Sequence, residues 1–331
     1  MEERKPFKIL SIDGGGIKGL FSAVILEKFE EVFNTQIHEQ FDLICGTSTG
    51  GIIALGASAG KRMTDIVSFY ENDGPKIFDE RNKQLFKWPY NFYLNARRVL
   101  WGTKYSGKAL EAALIREFGS LTLAESKTLL CIPAFNITTG DRRIFKKDYN
   151  SFTEDSCRKY VDIAMATSAA PTYLPVRNIG SGQFADGGLW ANNPILTGLV
   201  EFLYSFKDDS RFDGVQILSI SSMEKSSGEC KKRCNRSFWS WKDTLFDDYS
   251  VGQSKSALFL LDKLKDSLTF PLEYVRIANP SLSEKQAHVI DMDNASHKAL
   301  EALKDIGYNV AMKEKMKSKI QEIFQTGKTI K

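Results

Sequence analysis

Two glycine-rich turns, each joining a short apolar run to a helical pattern, constrain the fold of this chain most. The runs FKILSI (7–12) and FDLICG (41–46) have the length and composition of buried strands. Residues 20–33 repeat apolar side chains at helical spacing, and residues 49–60 are a helix-like run of small and apolar residues. This strand–helix–strand–helix order predicts a parallel sheet with crossover helices, which is the α/β class.

Later parts of the chain continue the pattern. Strands are predicted at 128–138, 142–147, 182–186 and 214–221, and helices at 107–119 and 158–170. Two regions, 69–106 and 225–245, are rich in aromatic and basic residues, and we expect them to be loops or caps.

The composition narrows the class of protein. The hydrophobic fraction of 42% is typical of a globular domain, and a net charge of +4 does not indicate nucleic-acid binding. No apolar run reaches the roughly 18–20 residues of a membrane span, and the first one is too short for a signal peptide. Neither histidine nor cysteine follows Cys230 and Cys234 at zinc spacing. We therefore expect a cytoplasmic protein with reduced cysteines and no zinc site at this cysteine pair.

The pentapeptide Gly46-Thr47-Ser48-Thr49-Gly50 fits the pattern G-x-S-x-G and joins the second predicted strand to its helix. In that setting the flanking glycines let strand and helix pack closely, and the serine hydroxyl is held at the carboxyl end of the sheet. The helix amino terminus adds positive potential where an oxyanion would form. The pattern predicts that Ser48 is a nucleophile, with a nucleotide-binding turn as the alternative.

The first turn, DGGGIKG, allows two interpretations. Gly14, Gly16 and Gly19 satisfy the dinucleotide pattern G-x-G-x-x-G, but no acidic residue closes the next strand to bind a ribose. Alternatively, the N–H groups of Gly14, Gly15 and Gly16 form an oxyanion hole, in which one donor is typically worth about 3–4 kcal/mol. We favour the oxyanion hole because it places this turn and Ser48 in one site.

A serine nucleophile needs a base. Asp186 ends the predicted strand GQFAD and precedes Gly187 and Gly188, so it can approach another strand end. Its low intrinsic pKa would have to be raised by burial. His288 or His297 would instead complete a Ser-Asp-His triad, although both lie in polar segments typical of surface histidines. Because Asp-Gly is also a common turn pair, the assignment of the aspartate depends on the two glycine turns.

The motifs DGGGIKG, GTSTG and DGG, in this order, resemble those of the patatin-like phospholipases. The segments KYSGKALEAALIREFG, ATSAAPTYLP and ANNP extend the resemblance over residues 7–222. It implies a patatin-like three-layer fold, with a mostly parallel central sheet flanked by helices and a Ser-Asp dyad at the carboxyl edge of its strands. It also implies a catalytic domain at 7–222 and a C-terminal extension at 223–331 that packs on it and is open to regulatory, membrane or oligomer contacts.

The same resemblance assigns the nucleophile to Ser48 and its dyad base to Asp186, and it implies no histidine, metal or other cofactor. The implied oxyanion hole consists of the N–H groups of Gly14, Gly15, Gly16 and Thr49. The glycines that would support the motifs are Gly19, Gly46, Gly50, Gly187 and Gly188. Lys18 departs from the arginine usual in the family, and a lysine keeps the positive charge but lacks the planar fork that forms bidentate contacts.

The start KILSIDGGGIKGLFSAVILEKFE and the chain length are more narrowly similar to bacterial anti-phage (CBASS) effectors. That similarity implies hydrolysis of acyl esters of membrane phospholipids at the inner face of the cell membrane, switched on by a cyclic di- or trinucleotide. It leaves a homo-oligomer open and implies no DNA partner, and no residues are assigned to the activator. The alternatives are a constitutive acyl hydrolase or thioesterase with a triad, and a nucleotide-binding protein.

Three segments are candidates for membrane contact. FKWPYNFY and FWSW contain aromatic residues suited to an interface. Near the C terminus, Met312, Met316, Ile320 and Phe324 recur every four residues among lysines. That spacing is compatible with a basic membrane-surface helix or with a helix that packs on its own domain.

Overall fold

A single central sheet organises the chain in a computed structural model that describes residues 4–79, 103–223 and 245–330. The segments FKWPYNFY and FWSW lie outside the described residues. Strands and helices predicted from sequence are present with small changes of bounds, but residues 69–77 are helical and not part of a loop or cap.

Eight strands of the described residues form the sheet. They are β1 (Lys5–Ile12), β2 (Leu43–Gly46), β3 (Leu129–Asn136), β4 (Asp141–Phe145), β5 (Arg177–Ile179), β6 (Gly182–Asp186), β7 (Phe212–Ile220) and β8 (Leu272–Ile277). Their order is β5-β6-β3-β2-β1-β7-β8, with β4 also paired to β3. The run from β3 to β8 is parallel, whereas β4, β5 and β6 pair in antiparallel fashion, so the predicted mostly parallel sheet is confirmed.

Helices cover the two faces of this sheet. They are α1 (Gly19–Phe33), α2 (Ile37–Gln40), α3 (Thr49–Ser58), α4 (Met63–Ile77), α5 (Lys108–Phe118), α6 (Tyr160–Thr167), α7 (Gly188–Ala191), α8 (Ile195–Ser205), α9 (Leu245–Leu264), α10 (Glu284–Val289), α11 (His297–Glu314) and α12 (Ser318–Gln325). In the described parts of the chain, no helix is both long and apolar enough to cross a bilayer.

Burial of the sheet on both faces produces three layers. In β1, Phe7 and Ile9 enter one apolar cluster, whereas Leu10 and Ile12 enter the opposite one, because successive side chains point to opposite faces. The first cluster is covered by α8 and α9, and the second by α1, α3, α4, α5, α6 and α11. A strand buried on both faces needs a continuous apolar run, which is the pattern seen in the sequence.

The chain after residue 222 shares this sheet and its core. Strand β8 pairs with β7 in parallel, from Val215 opposite Leu272 to Ile220 opposite Ile277. Helix α11 packs on α1, where a Cβ on Gly307 would lie 3.0 Å from Val24 Cβ. The assignment of 7–222 as the catalytic domain stays a prediction.

The C-terminal pattern of four apolar residues does not form one helix face. Helix α11 ends at Glu314 and α12 begins at Ser318, so Met312 lies in α11, Met316 lies in the link, and Ile320 and Phe324 lie in α12. Met316 between them is exposed, whereas Ile320 and Phe324 are buried in the core. The structure therefore favours packing on the chain's own domain over a continuous membrane-surface helix.

Candidate active site

Ser48 occupies the sharp turn between β2 and α3. Its φ of 55° and ψ of −124° are a conformation that costs energy for a residue with a side chain. The flanking glycines make this turn possible, since a Cβ on Gly46 would collide with the Gly50 carbonyl group. Strain at a strand-to-helix turn is typical of a nucleophile that is held out from the chain.

Thr167, at the end of α6, fixes this turn from the side. The Ser48 N–H donates to Thr167 Oγ1 at 3.0 Å, and that hydroxyl donates to the Pro133 carbonyl at 2.6 Å. The threonine therefore ties the serine turn to β3. Its role was not predicted, because a buried threonine carries no local sequence signal of such a contact.

The register of the sheet brings Asp186 to the serine. Cys45 of β2 pairs with Cys131 of β3, and Ala134, three residues further along β3, pairs with Asp186 of β6. Ser48 is likewise three residues beyond Cys45, so it lies at the same level of the sheet. The two side chains line one cavity.

The environment of Asp186 suits a base. The side chain is 1% exposed, and its Oδ1 accepts the Gly188 N–H at 2.7 Å. Burial raises the pKa of Asp186 to about 7, although hydrogen bonds from Gly188 and Ser48 act to lower it. Within the described ranges, Asp186 Oδ2 has no partner in good hydrogen-bond geometry, so the Ser48 hydroxyl does not form a well-aligned hydrogen bond with this oxygen. Such contacts often tighten only when substrate binds.

The glycine turn after β1 lies against the serine. A Cβ placed on Gly14 would be 3.1 Å from Ser48 Cβ, and the Gly15 N–H donates to Thr49 Oγ1 at 3.3 Å. Gly16 has a φ of 61°, a conformation that glycine adopts without steric cost. The two turns that sequence analysis linked are therefore neighbours.

Two of the four predicted oxyanion donors are already engaged, because the Gly15 N–H is bonded to Thr49 Oγ1 and the Gly14 N–H also has an acceptor. The Gly14 N–H donates to the carbonyl oxygen of Asn192 at 3.0 Å, so the expectation that it points at substrate needs correction. Among the described residues, the N–H groups of Gly16 and Thr49 have no acceptor. The free backbone donors near Ser48 are therefore the N–H groups of Gly16 and Thr49, which is fewer than the sequence predicted.

Below the glycine turn lies an ion pair that sequence analysis missed. Asp13 is fully buried, and Arg276 of β8 donates to it through both terminal nitrogens, one of them 2.9 Å from Oδ1. Burial raises the pKa of Asp13 even though Arg276 acts to lower it. Lys18, which is also buried, lies 3.8 Å from the Asp247 carboxylate of α9. These partners come from late in the chain, so no local pattern announces them.

The remaining wall of the cavity is mostly apolar. It includes Ile52, Phe69, Tyr70, Ile77, Leu110 and Leu174. An apolar crevice that ends at a serine and a buried carboxylic acid can hold a hydrocarbon chain with its ester group at the serine.

The histidines of the rival triad lie elsewhere. His288, on α10, and His297, on α11, are exposed, and neither lines the cavity. His297 instead faces Glu301 at 3.3 Å. The structure brings Ser48 together with Asp186 and not with a histidine. In the described part of the chain, no cluster of three or more histidine, cysteine or acidic side chains could hold a metal ion.

Comparison with known proteins places these motifs in a family. The sequence model of the family described as patatin-like phospholipase matches residues 10–199, which include both glycine turns and Asp186. The cGAMP-activated phospholipase of Pseudomonas aeruginosa is 32% identical over 309 residues, covering 93% of this chain and 88% of that protein. The cGAMP-activated phospholipase of Vibrio cholerae is 31% identical over 335 residues, covering 94% and 92%.

Proposed function

This chain belongs to the patatin-like phospholipase family, and we propose that it hydrolyses acyl esters of membrane phospholipids with Ser48 as nucleophile and Asp186 as base. One observation carries the proposal. A serine in a strained turn and a fully buried carboxylic acid with a pKa of about 7 line the same apolar cavity. A carboxylate with that pKa is ionised near neutral pH and can accept a proton there.

The reaction proceeds in two steps. Asp186 takes the proton of the Ser48 hydroxyl as its oxygen attacks the ester carbonyl carbon, and a tetrahedral oxyanion forms. The C–O bond to the lysophospholipid then breaks, and the leaving oxygen takes the proton back from Asp186. Water, deprotonated by the same carboxylate, attacks the acyl-serine, and a second tetrahedral intermediate forms. Its bond to the Ser48 oxygen then breaks, Asp186 returns the proton to that oxygen, and the fatty acid is released.

The oxyanion is held by backbone donors at the serine. The N–H groups of Gly16 and Thr49 supply two of them, and that of Gly15 becomes a third if it leaves Thr49 Oγ1 when substrate enters. Gly14 supplies none, because its N–H is bonded to Asn192. The amino terminus of α3 adds positive potential at the same place.

Activation by a cyclic dinucleotide is the second part of the proposal. It is supported by the names of two relatives that are 31% and 32% identical over more than nine-tenths of this chain, both cGAMP-activated phospholipases. In this role the enzyme acts peripherally on the inner face of the cell membrane and degrades it as an anti-phage effector.

The test is hydrolysis of vesicles made of phosphatidylethanolamine and phosphatidylglycerol, with and without cGAMP and a panel of other cyclic di- and trinucleotides. Ser48→Ala and Asp186→Ala should each abolish fatty-acid release, whereas His288→Ala should retain it. Hydrolysis retained by either of the first two variants overturns the dyad. Hydrolysis by the unchanged chain that no cyclic nucleotide stimulates overturns the activation.

A further inference from the structure

The cavity contains an amide donor that the mechanism above does not use. Asn192, between α7 and α8, is 2% exposed and lines the cavity together with Ser48 and Asp186. Its Nδ2 is buried, and no acceptor for it exists among the described residues. Buried donors are nearly always paired in folded proteins, so an unpaired one in a side chain that lines a cavity needs an explanation.

The position of this amide is set by the glycine turn. Asn192 Oδ1 would lie 2.6 Å, and Ser48 Cβ 3.1 Å, from a Cβ placed on Gly14. The carboxamide is therefore close to the nucleophile, on the side of the glycine turn, and Oδ1 is its nearest atom there. A half-turn of the terminal side-chain torsion exchanges the positions of oxygen and nitrogen, so the same group can present Nδ2 on this side. This is the side on which the substrate carbonyl oxygen must lie when the serine attacks.

The main chain of the same residue holds the arrangement in place. The Asn192 carbonyl accepts the Gly14 N–H at 3.0 Å, and this bond removes one backbone donor from the oxyanion hole. The next residue, Asn193, is anchored on both sides, since its N–H donates to Gln253 at 2.9 Å and its Oδ1 accepts the Ile195 N–H at 3.1 Å. Asn192 is thus fixed by its backbone while its side-chain N–H₂ stays unused.

We propose that Asn192 is a catalytic residue, and that its Nδ2 donates a hydrogen bond to the oxyanion of the tetrahedral intermediate. The side chain thereby supplies a donor in place of the Gly14 N–H that its own carbonyl engages. This inference rests on the proposed function, because it presupposes that Ser48 attacks an ester. The resting enzyme leaves the donor unpaired, so its hydrogen bond forms only with substrate and strengthens as negative charge develops.

Asn192→Ala tests the role, with a soluble p-nitrophenyl ester as substrate and cGAMP present. We expect kcat to fall about 10²–10³-fold, as for other lost oxyanion donors, while KM changes less than about threefold. The melting temperature should stay the same or rise, because the folded protein loses no hydrogen bond. The rate of inactivation by a fluorophosphonate should fall in parallel with kcat, since its tetrahedral adduct presents an oxygen to the same donors.

Asn192→Asp provides a second variant of the same shape. It keeps the side-chain volume but replaces the donor by an oxygen, so kcat should fall at least as far as in Asn192→Ala. Asn193→Ala is the matched control, because the amide of that residue is hydrogen-bonded within the protein. It should lower the melting temperature and, after correction for the folded fraction, change kcat by less than about tenfold.

Three results would overturn the inference. They are an unchanged kcat in Asn192→Ala, a raised KM with an unchanged kcat, and an activity loss that merely follows a loss of stability. Ser48→Ala, measured alongside, separates this inference from the function it rests on. If that variant is inactive while Asn192→Ala is fully active, only the role of the amide fails, whereas an active Ser48→Ala removes the proposed function as well.

Discussion

Asp186 is the residue at which activity and stability oppose each other. Burial keeps its carboxyl group protonated up to a pH near 7, whereas the unfolded chain releases that proton near pH 3.8. The folded state therefore binds more protons than the unfolded state between these values, and stability falls as the pH rises through them. The same burial makes the carboxylate basic enough to activate a serine.

Two pH trends follow for this residue. The value of kcat/KM should rise with pH along a limb with an apparent pKa of about 7, because only the ionised carboxylate accepts the serine proton.

Urea unfolding of Asp186→Asn should show a stability gain over the unchanged protein that grows from pH 4.5 to pH 8. A gain that is the same at both pH values, or a loss that grows with pH, would contradict this account of the burial.

At the scale of elements, α9 and β8 from the late part of the chain hold the glycine turn and the segment that follows Asp186. Arg276 of β8 pairs with Asp13 under the glycine turn. In α9, Gln253 accepts the N–H of Asn193, and Tyr249 donates to the carbonyl of Leu189. The glycine turn and the segment after Asp186 are therefore positioned by elements that lie outside the matched family range.

The Arg276–Asp13 pair is expected to stabilise the fold. Arg276→Met leaves a fully buried carboxylate without its partner, so the free energy of unfolding should fall by about 3–5 kcal/mol. Arg142→Met, at an exposed ion pair on β4, should change it by no more than about 0.5 kcal/mol. Urea titrations of both variants make the comparison, and equal small effects would show that the buried pair does not stabilise the turn.

At the scale of the whole molecule, the last described residues cover the side of the sheet at which the parallel strands β1 and β2 begin. The Phe324 ring of α12 stacks on Phe33 at 4.5 Å between centroids. Lys8 of β1 donates to the Ile323 carbonyl at 2.7 Å, and Asp42 accepts the N–H groups of residues 329 and 330. The C-terminal segment is thus part of the core and not an appendage.

Phe324→Ala should accordingly reduce the free energy of unfolding by about 3–5 kcal/mol, because it removes a buried aromatic side chain and leaves a cavity. Met316→Ala, in the exposed link before α12, should have an effect within about 0.5 kcal/mol. Vesicle sedimentation of both folded variants completes the test. Loss of vesicle binding in Phe324→Ala without any loss of stability would contradict core packing and indicate that the residue contacts the membrane.

Much of the fold was predictable because its signals are local. Strands buried on both faces appear as apolar runs, and the turn at Ser48 depends on glycines next to it in sequence. Strand β8 and helix α9 were not predicted, and neither were the hydrogen bond of Thr167 to the Ser48 turn and the position of Asn192 in the cavity. These act through contacts with residues far away in the chain, and whether a buried polar group has a partner is decided only by the three-dimensional structure.

The measurement that tests the central claim most directly is the site of a trapped adduct. The chain is treated with a fluorophosphonate in the presence of cGAMP, digested and analysed by mass spectrometry. The account predicts modification of Ser48 that stops lipid hydrolysis, that disappears in Ser48→Ala and that is strongly slowed in Asp186→Asn. A label on another residue that abolishes activity, or full labelling of Ser48 with hydrolysis intact, would contradict it.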